Sequence, residues 1–133
     1  MEQTFIIIKP EGVQRGLVGE ILRRFERKGL KITALKMDRI RRDVAAEHYA
    51  HHADKPFFPE LLDAITGGPV VMAVLEGPDA VRHVRNLVGA TNPREAAPGS
   101  IRGDFGLELP YNIVHAADSP ETAREEIRRF FGS

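Results

Sequence analysis

His115 is the residue of this sequence that is best placed to do chemistry. It follows two apolar residues at the end of a short predicted strand and precedes a predicted helix N-terminus, where ligand sites commonly lie in open sheets. On the last predicted helix, Glu126 lies at about 300° from Ala123 when each residue turns the helix by about 100°. A carboxylate at this boundary could bind one ring nitrogen of His115 and leave the other as a nucleophile. A boundary glutamate that extends into solvent explains the same position equally well.

Three cationic side chains are placed where they could join this histidine. Arg85 lies beside the apolar face of its predicted helix, Lys9 ends the first predicted strand, and Arg102 lies between two glycines in a long predicted loop. Taken singly, each is an ordinary surface cation with a buried aliphatic stem. If they converge on His115, they form a pocket for a polyanion such as the phosphate tail of a nucleotide.

The other histidines favour a surface role. His48, His51 and His52 lie on one short predicted helix, where His48 and His52 have the i, i+4 spacing of a metal-binding pair. Because no third ligand is evident, a polar surface helix is the favoured interpretation, and a metal-dependent hydrolase that uses this pair is an alternative. His83 is predicted to face solvent on its own helix. The sequence therefore predicts no metal site built from protein ligands.

Composition and charge exclude several classes of function. The 133 residues include no cysteine, which rules out a disulfide scaffold, a thiolate metal site and a cysteine nucleophile. The 19 Lys+Arg residues balance the 19 Asp+Glu residues, which argues against binding to a nucleic acid polymer. The longest apolar run, Val70 to Leu75, is far shorter than the ~20 residues of a membrane helix, and no signal peptide is visible. We therefore expect a cytoplasmic protein without a membrane segment.

The hydrophobic pattern predicts the elements that must position these residues. Short β-branched or apolar runs indicate strands, and apolar residues at helical spacing indicate helices. The order is strand, helix, strand, helices, strand, helix, long loop, strand and helix, a βαββαβ pattern typical of a ferredoxin-like α+β fold with an antiparallel sheet covered by helices. A Rossmann-type parallel sheet is the main competitor. The predicted strands are Thr4–Lys9, Leu30–Met37, Val70–Leu75 and Asn112–His115, and helices are expected to begin near Val18, Asp43, Pro59, Asp79 and Ser119.

The chain is predicted to form a single domain over residues 1–133, because no repeat, low-complexity tract or linker interrupts it. Within it, residues 90–111 are rich in proline and glycine and lack periodicity, which predicts a long functional loop. The sequence lacks the phosphate-loop, dinucleotide-binding and nucleophile-elbow motifs. Any nucleotide site must therefore be built in another way.

From Thr4 to about Phe131, the sequence resembles the nucleoside diphosphate kinase family. The resemblance is specific because several long segments occur in the family's order with family-like separations. It implies a ferredoxin-like fold and a phosphotransferase that moves the γ-phosphoryl group of a nucleoside triphosphate, mainly ATP, to a nucleoside diphosphate. It also implies a phosphohistidine intermediate with ping-pong kinetics, Mg²⁺ as a cofactor, and a homo-oligomer, either a tetramer or a hexamer. The segments are TFIIIKPEGVQRGLVGEI, EHYAHHADKPFF, GPVVMAVLEG, GATNPREAAPGSIRGDF and NIVHAADSPETAREEI.

The same resemblance implies which residues form the site. His115 matches the phosphorylated histidine of the family, Glu126 the glutamate that orients it, and Tyr49 the tyrosine beside it, and these three form the implied catalytic set. Phe57 matches the aromatic residue that stacks on the base. The remaining members of the implied nucleotide-binding set match residues that bind the ribose hydroxyl and the phosphates: Lys9, Arg85, Thr91, Arg102 and Asn112.

One segment departs from the family pattern. The family usually has His-Gly-Ser-Asp, whereas this chain has His115-Ala116-Ala117-Asp118. A small backbone adjustment is expected at Ala116, because a glycine is free to adopt positive φ there. Ala117 lacks the serine hydroxyl that supports the glutamate in the family, and loss of one neutral hydrogen bond costs about 0.5–1.5 kcal/mol. A weakened but active kinase is therefore expected, with a nucleotide-binding regulatory module that has lost catalysis as the alternative.

Overall fold

A four-stranded antiparallel sheet forms the centre of the protein. The computed structural model describes residues 1–132 and contains the strands β1 (Glu2–Ile8), β2 (Lys31–Asp38), β3 (Val70–Gly77) and β4 (Val114–Ala116). The strands lie in the order β2-β3-β1-β4, and each neighbouring pair is antiparallel. This topology confirms the predicted ferredoxin-like α+β fold, and it shows that the parallel-sheet alternative is wrong.

Helices connect the strands and cover both faces of the sheet. They are α1 (Pro10–Gln14), α2 (Val18–Lys28), α3 (Arg42–His48), α4 (Phe58–Thr66), α5 (Ala80–Val88), α6 (Ile101–Phe105) and α7 (Pro120–Phe131), with short 3₁₀ turns at Ala50–His52 and Pro93–Glu95. Within residues 1–132, no helix combines the length and the apolar character that crossing a bilayer requires.

The side chains of β1 alternate between two hydrophobic cores, because successive residues of a strand point to opposite faces. Ile6 belongs to the core beneath α2 and α5, whereas Phe5 belongs to the core beneath α3, α4 and α7. The ring of Phe5 is fully buried and stacks on Phe130 of α7, with 5.2 Å between the ring centroids. The central strands are therefore covered on both faces, as the continuous apolar run of β3 predicts.

Local contacts define the ends of three helices, two of which were predicted to begin near Asp43 and Ser119. Helix α2 ends at Gly29, whose φ of 108° favours glycine. Helix α7 begins after Ser119, whose Oγ accepts a hydrogen bond from the Thr122 N–H at 3.0 Å. Asp43 does not cap α3, because the N-cap is Arg41 and Asp43 lies in the first turn. There its carboxylate accepts a hydrogen bond from the Arg41 guanidinium at 3.0 Å, which holds it away from the capping position.

The predicted long loop at 90–111 contains helical structure that the sequence did not reveal. One of the 3₁₀ turns and the five-residue helix α6 lie within it. Ser100 caps α6, because its Oγ accepts a hydrogen bond from a backbone N–H of the first turn at 3.0 Å. Arg102 therefore lies on a helix and not in a loop. A helix this short shows no apolar periodicity, and α1 was missed for the same reason.

Candidate active site

A cavity of about 540 Å³ beside β4 brings the predicted site residues together. Its wall draws on β4, α5, α6, α7 and the segments between elements, so the site forms only when the sheet and helices are assembled. The cations that the sequence placed separately do converge on the histidine. All nine residues of the implied catalytic and nucleotide-binding sets line the cavity: Lys9, Tyr49, Phe57, Arg85, Thr91, Arg102, Asn112, His115 and Glu126.

His115 is held by a carboxylate on one side of its ring. In the β1–β4 register His115 lies opposite Ile7, so its side chain points to the sheet face that α7 covers. Its Nε2 lies 2.9 Å from both carboxylate oxygens of Glu126. Because an ionised carboxylate only accepts hydrogen bonds, this contact places the ring hydrogen on Nε2 and leaves a lone pair on Nδ1. The boundary glutamate is therefore a partner of the histidine and does not extend into solvent.

Burial controls the charge of this pair. Burial, with the nearby charges of Lys9, Arg102 and Arg85, lowers the pKa of His115 to about 3, so the imidazole is neutral at pH 7. Burial also raises the pKa of Glu126 to about 7, so the carboxyl loses its proton as the pH rises through 7, and the ionised form that accepts from Nε2 dominates above that pH. Since a protonated imidazole has no free lone pair, the low pKa favours the form of His115 that can act as a nucleophile.

Lys9 and Asn112 form a buried chain that ends at the cavity wall. The Lys9 ammonium donates a hydrogen bond to Asn112 Oδ1 at 2.7 Å, and Asn112 Nδ2 donates to the Thr91 carbonyl at 3.0 Å. Burial lowers the pKa of Lys9 to about 8, so the ammonium is charged at pH 7 and loses its proton as the pH rises through 8. These two hydrogen bonds therefore hold the Lys9 ammonium and the Asn112 amide in fixed positions at the cavity wall.

Arg102 has a structural role as well as a position in the site. Its buried guanidinium donates hydrogen bonds to the carbonyls of Asn112, Gly89 and Val114 at 3.3, 3.1 and 2.6 Å. Burial, with the charge of Arg85, lowers the pKa of Arg102 to about 10, which leaves it protonated at pH 7. The residue ties together the end of α5 and the strand that carries His115, and it supplies positive charge to the cavity.

The remaining side chains of the implied set form the inner and outer walls. Tyr49 is buried, and burial raises its pKa above the ordinary value, so its hydroxyl stays protonated and can donate a hydrogen bond. Phe57 lies at the mouth of the cavity and is 43% exposed, although large aromatic rings are usually buried. Arg85 Nη1 donates to the Ala116 carbonyl at 3.2 Å. An exposed ring at the rim is suited to stacking on a flat ligand.

The expected backbone adjustment at Ala116 is wrong. Ala116 lies in the extended backbone of β4, where alanine fits without strain. The left-handed residue of this segment is Ile113, with φ of 73°, which is rare for a β-branched side chain. Its N–H donates to a Glu11 carboxylate oxygen at 3.1 Å, and its carbonyl accepts from the Lys9 N–H at 2.8 Å. These contacts hold the strained residue two positions before His115.

The sequence missed His48 as a site residue. The surface-helix interpretation is wrong for this histidine, because it is buried and its ring centroid lies 4.5 Å from that of His115. The metal-binding pair is also wrong: His48 ends α3, whereas His52 lies in the following 3₁₀ turn near Phe57. His83 is half-buried and not fully exposed as predicted. The sequence does contain a sign of this burial. His48 lies three residues after Ala45, a core residue of the same helix, so both side chains lie on the same helix face.

Comparison with known proteins assigns the family. The family model described as "Nucleoside diphosphate kinase" matches residues 2–133. The chain belongs to the nucleoside diphosphate kinase family. A nucleoside diphosphate kinase of Archaeoglobus fulgidus is 63% identical over 131 residues, which cover 98% of this chain and 87% of that protein. One from Nocardia farcinica is also 63% identical over 131 residues, covering 98% of this chain and 94% of the relative.

A solved structure of the family shows the same fold. The nucleoside diphosphate kinase of Halobacterium salinarum, solved in complex with CDP, superposes with a TM-score of 0.97 at 51% identity and covers 99% of this chain and 88% of its own. The fold and the sequence therefore agree on the family. The activity of the chain is that of nucleoside diphosphate kinases, the transfer of phosphate between nucleotides.

A nucleoside diphosphate kinase generally uses a divalent cation, and the charges around the cavity indicate where such a cation could bind. Among residues 1–132, His48, His115 and Glu126 each place one donor atom within 4.8 Å of the others. The positive charges that lower the pKa of His115 lie around this cluster and disfavour a cation there. The Asp118 carboxylate also lines the cavity and offers oxygen ligands there. A cation that arrives bound to phosphates is the better fit to this cavity.

Proposed function

We propose that His115 Nδ1 is the atom that accepts the terminal phosphoryl group of a nucleoside triphosphate, mainly ATP. The observation that supports this most directly is the contact of Nε2 with both oxygens of Glu126, which leaves the Nδ1 lone pair available. In the first step Nδ1 attacks the γ-phosphorus in line, and the bond to the bridging oxygen breaks to release the diphosphate. In the second step a terminal oxygen of another nucleoside diphosphate attacks the same phosphorus, and the N–P bond breaks.

Fixed charges would stabilise this transfer. Lys9, Arg85 and Arg102, which line the cavity, neutralise the equatorial oxygens of the transferring group. The Tyr49 hydroxyl donates to a phosphoryl oxygen and helps to position it. Mg²⁺ is the proposed cofactor and, when bound, neutralises charge on the phosphate chain. Asp118, a hard oxygen ligand, would hold Mg²⁺ as it arrives with the nucleotide.

A labelling experiment tests the proposed intermediate. Incubation with γ-labelled ATP and no acceptor is expected to give a phosphoprotein that is labile in acid and stable in base, as phosphohistidine is. Addition of GDP is expected to discharge the label into GTP, with ping-pong kinetics in the steady state. Nucleotide binding without a labelled protein would instead favour the regulatory-module alternative. Release of inorganic phosphate without an acceptor would indicate a hydrolase.

Replacement of Phe57 by alanine is expected to weaken nucleotide binding far more than it slows transfer. Base stacking on an aromatic ring contributes about 1–3 kcal/mol, so KM should rise roughly 5- to 150-fold while kcat changes by less than about threefold. The rise should be similar for adenine, guanine and pyrimidine nucleotides, because every base has a stacking face. Steady-state kinetics with four diphosphates as acceptors measures this. A KM that rises for one base alone would show that the site reads base edges instead.

A homo-oligomer is also proposed, and the β2 edge supports it. Strand β2 is the last strand of the sheet on its side, and it exposes Leu35 and Met37, at 52% and 59%. An exposed apolar edge strand is a surface that commonly pairs with another chain. Light scattering is expected to give the mass of a tetramer or a hexamer, and Leu35→Lys with Met37→Lys should shift it to smaller species. A wild-type monomer would contradict the proposal. The cytoplasmic location and the single domain over residues 1–133 stay predictions.

A further inference from the structure

His48 lies at the junction between His115 and the last helix. Its side chain is 2% exposed, and its ring packs at 4.5 Å from His115 and 5.4 Å from Phe130 between centroids. Nδ1 of His48 lies 3.6 Å from Glu126 Oε2 and 3.2 Å from Arg129 Nη1. The histidine therefore touches both the carboxylate that holds His115 and an arginine that belongs to none of the predicted site sets.

The contact with Arg129 determines the tautomer of His48. A guanidinium only donates hydrogen bonds, so the Arg129 contact requires His48 Nδ1 to accept and puts the ring hydrogen on Nε2. Nε2 is buried and has no hydrogen-bond partner among the described residues, so the Arg129 contact is what favours this tautomer. Burial lowers the pKa of His48 to about 3, which keeps the ring neutral and Nδ1 free to accept. Without Arg129, His48 Nδ1 could carry the hydrogen itself and turn toward the Glu126 oxygen.

Arg129 is fixed between two helices. It lies three residues after Glu126 on α7, so both side chains project from the same face of that helix. Its Nε lies 3.6 Å from Glu47 Oε1 on α3, and its side chain is only 18% exposed. The guanidinium thus lies between α3 and α7 in contact with His48, and its charge lowers the pKa of Glu126 in opposition to burial.

The ionisation of Glu126 decides where His115 carries its hydrogen. An ionised Glu126 accepts from the His115 Nε2–H and leaves the Nδ1 lone pair free. A protonated Glu126 would donate to Nε2 and shift the ring hydrogen to Nδ1, which removes the nucleophile. Ala117, in the segment between His115 and α7, has no hydroxyl that could donate to the carboxylate in its place.

We propose that Arg129 is a positioning residue, which holds His48 in its Nε2–H tautomer and supplies the positive charge that keeps Glu126 ionised, and thereby keeps the hydrogen of His115 on Nε2. This inference rests on the proposed role of His115 as the phosphoryl acceptor. Other titratable or charged groups that face Glu126 are those of His48, His115, Tyr49, Asp118 and Glu125. Of these, Asp118 and Glu125 raise the pKa of Glu126, whereas His48 and then Arg129 lower it. Arg129 is the permanently charged member of this second pair, because burial keeps His48 neutral at pH 7.

The test compares Arg129→Leu with Arg129→Lys. Because kcat requires ionised Glu126, it rises with pH as Glu126 loses its proton, and removal of the charge should move that rise about one pH unit higher. Arg129→Leu is therefore expected to lower kcat about five- to tenfold at pH 6.5 and less than about threefold at pH 8.5, with KM for nucleotides changed less than about twofold. Arg129→Lys should restore most of the loss, since it keeps the charge and can donate to His48 Nδ1.

Nitrogen NMR of the histidine rings gives a second readout that needs no turnover. At pH 8, where most of Glu126 is ionised in the wild type, the wild type is expected to show His48 and His115 protonated mainly at Nε2, and Arg129→Leu should shift both toward the other tautomer. Arg128→Leu is the matched control, because it removes one exposed charge from the same helix turn and should leave both readouts unchanged. An Arg129→Leu variant with lower thermal stability, but with an unchanged pH profile and unchanged tautomers, would overturn the proposal. If His115 proved not to be the phosphoryl acceptor, the NMR comparison would still show whether Arg129 sets the tautomers of His48 and His115.

Discussion

Replacement of His115 by alanine is expected to abolish the labelled phosphoprotein and to lower the rate of transfer between nucleotides by roughly 10⁴-fold or more. Loss of a nucleophile is among the largest effects that a single substitution has on an enzyme, because the other residues can then only bind and orient. Nucleotide affinity should change little, since Lys9, Arg102 and Phe57 remain in place. Labelling with γ-labelled ATP and equilibrium binding of a diphosphate measure the two effects separately.

Two comparisons make the His115 result specific. His83→Ala removes a histidine of α5 that is not one of the described residues lining the cavity. It should therefore leave labelling and rate unchanged. Glu126→Gln should reduce the rate less than His115→Ala, because the amide oxygen can still accept from Nε2. Thermal unfolding of each variant establishes whether the fold is intact. Equal labelling of the wild type and His115→Ala would show that another residue is the acceptor.

Replacement of Arg102 by alanine is expected to damage both the fold and the activity. Three backbone carbonyls lose their donor at once, in a buried place where unsatisfied acceptors are costly, so the free energy of unfolding should fall by roughly 3–5 kcal/mol. Loss of a fixed positive charge next to the transferring group should also lower kcat by about 10²–10³. Urea denaturation and steady-state kinetics under native conditions measure the two losses.

A conservative and a distant variant separate these two roles of Arg102. Arg102→Lys keeps the charge, but one ammonium cannot reach three carbonyls in different directions, so it should recover more activity than stability. Arg94→Ala removes an exposed arginine of the same segment, whose ion pair with Glu108 lies in solvent, and should change stability by about 0.5 kcal/mol or less. A stable Arg102→Ala protein would contradict the structural role even if its activity were lost.

The sheet and long helices could be predicted from sequence because their signals are local. Strand β3 is buried on both faces and is therefore apolar throughout, whereas α2 is buried on one face and has apolar residues at helical spacing. Both patterns can be read directly from the residue types. The short helices α1 and α6 could not be found in this way. Helix α6 begins at the single capping contact of Ser100, which competes with turns of similar sequence, and α1 begins after Lys9 without a side-chain cap.

The site was harder to predict because its residues meet across long separations in the chain. Helical geometry left Glu126 undecided between a partner of His115 and a solvent-exposed boundary residue, and the structure decides this by placing both carboxylate oxygens at 2.9 Å from Nε2. His48 was misjudged because its ring packs on Phe130 and contacts Arg129, two residues of α7 that lie far along the chain. The resemblance to the family, unlike the local pattern, named nine of the residues that line the cavity. It misled at Ala116, where the backbone is extended and needs no adjustment.

The three carbonyls bound by Arg102 have a consequence for how such a sequence can change over evolutionary time. A gene copy released from selection for catalysis could lose His115 and its contact with Glu126, because the main contribution proposed for this ring is chemical. Arg102 would stay under selection in the same copy, since its loss would leave three buried carbonyls without a donor and lower the free energy of unfolding by roughly 3–5 kcal/mol. Retention of this arginine in a relative would therefore report a preserved architecture, whereas retention of the histidine would report a preserved reaction.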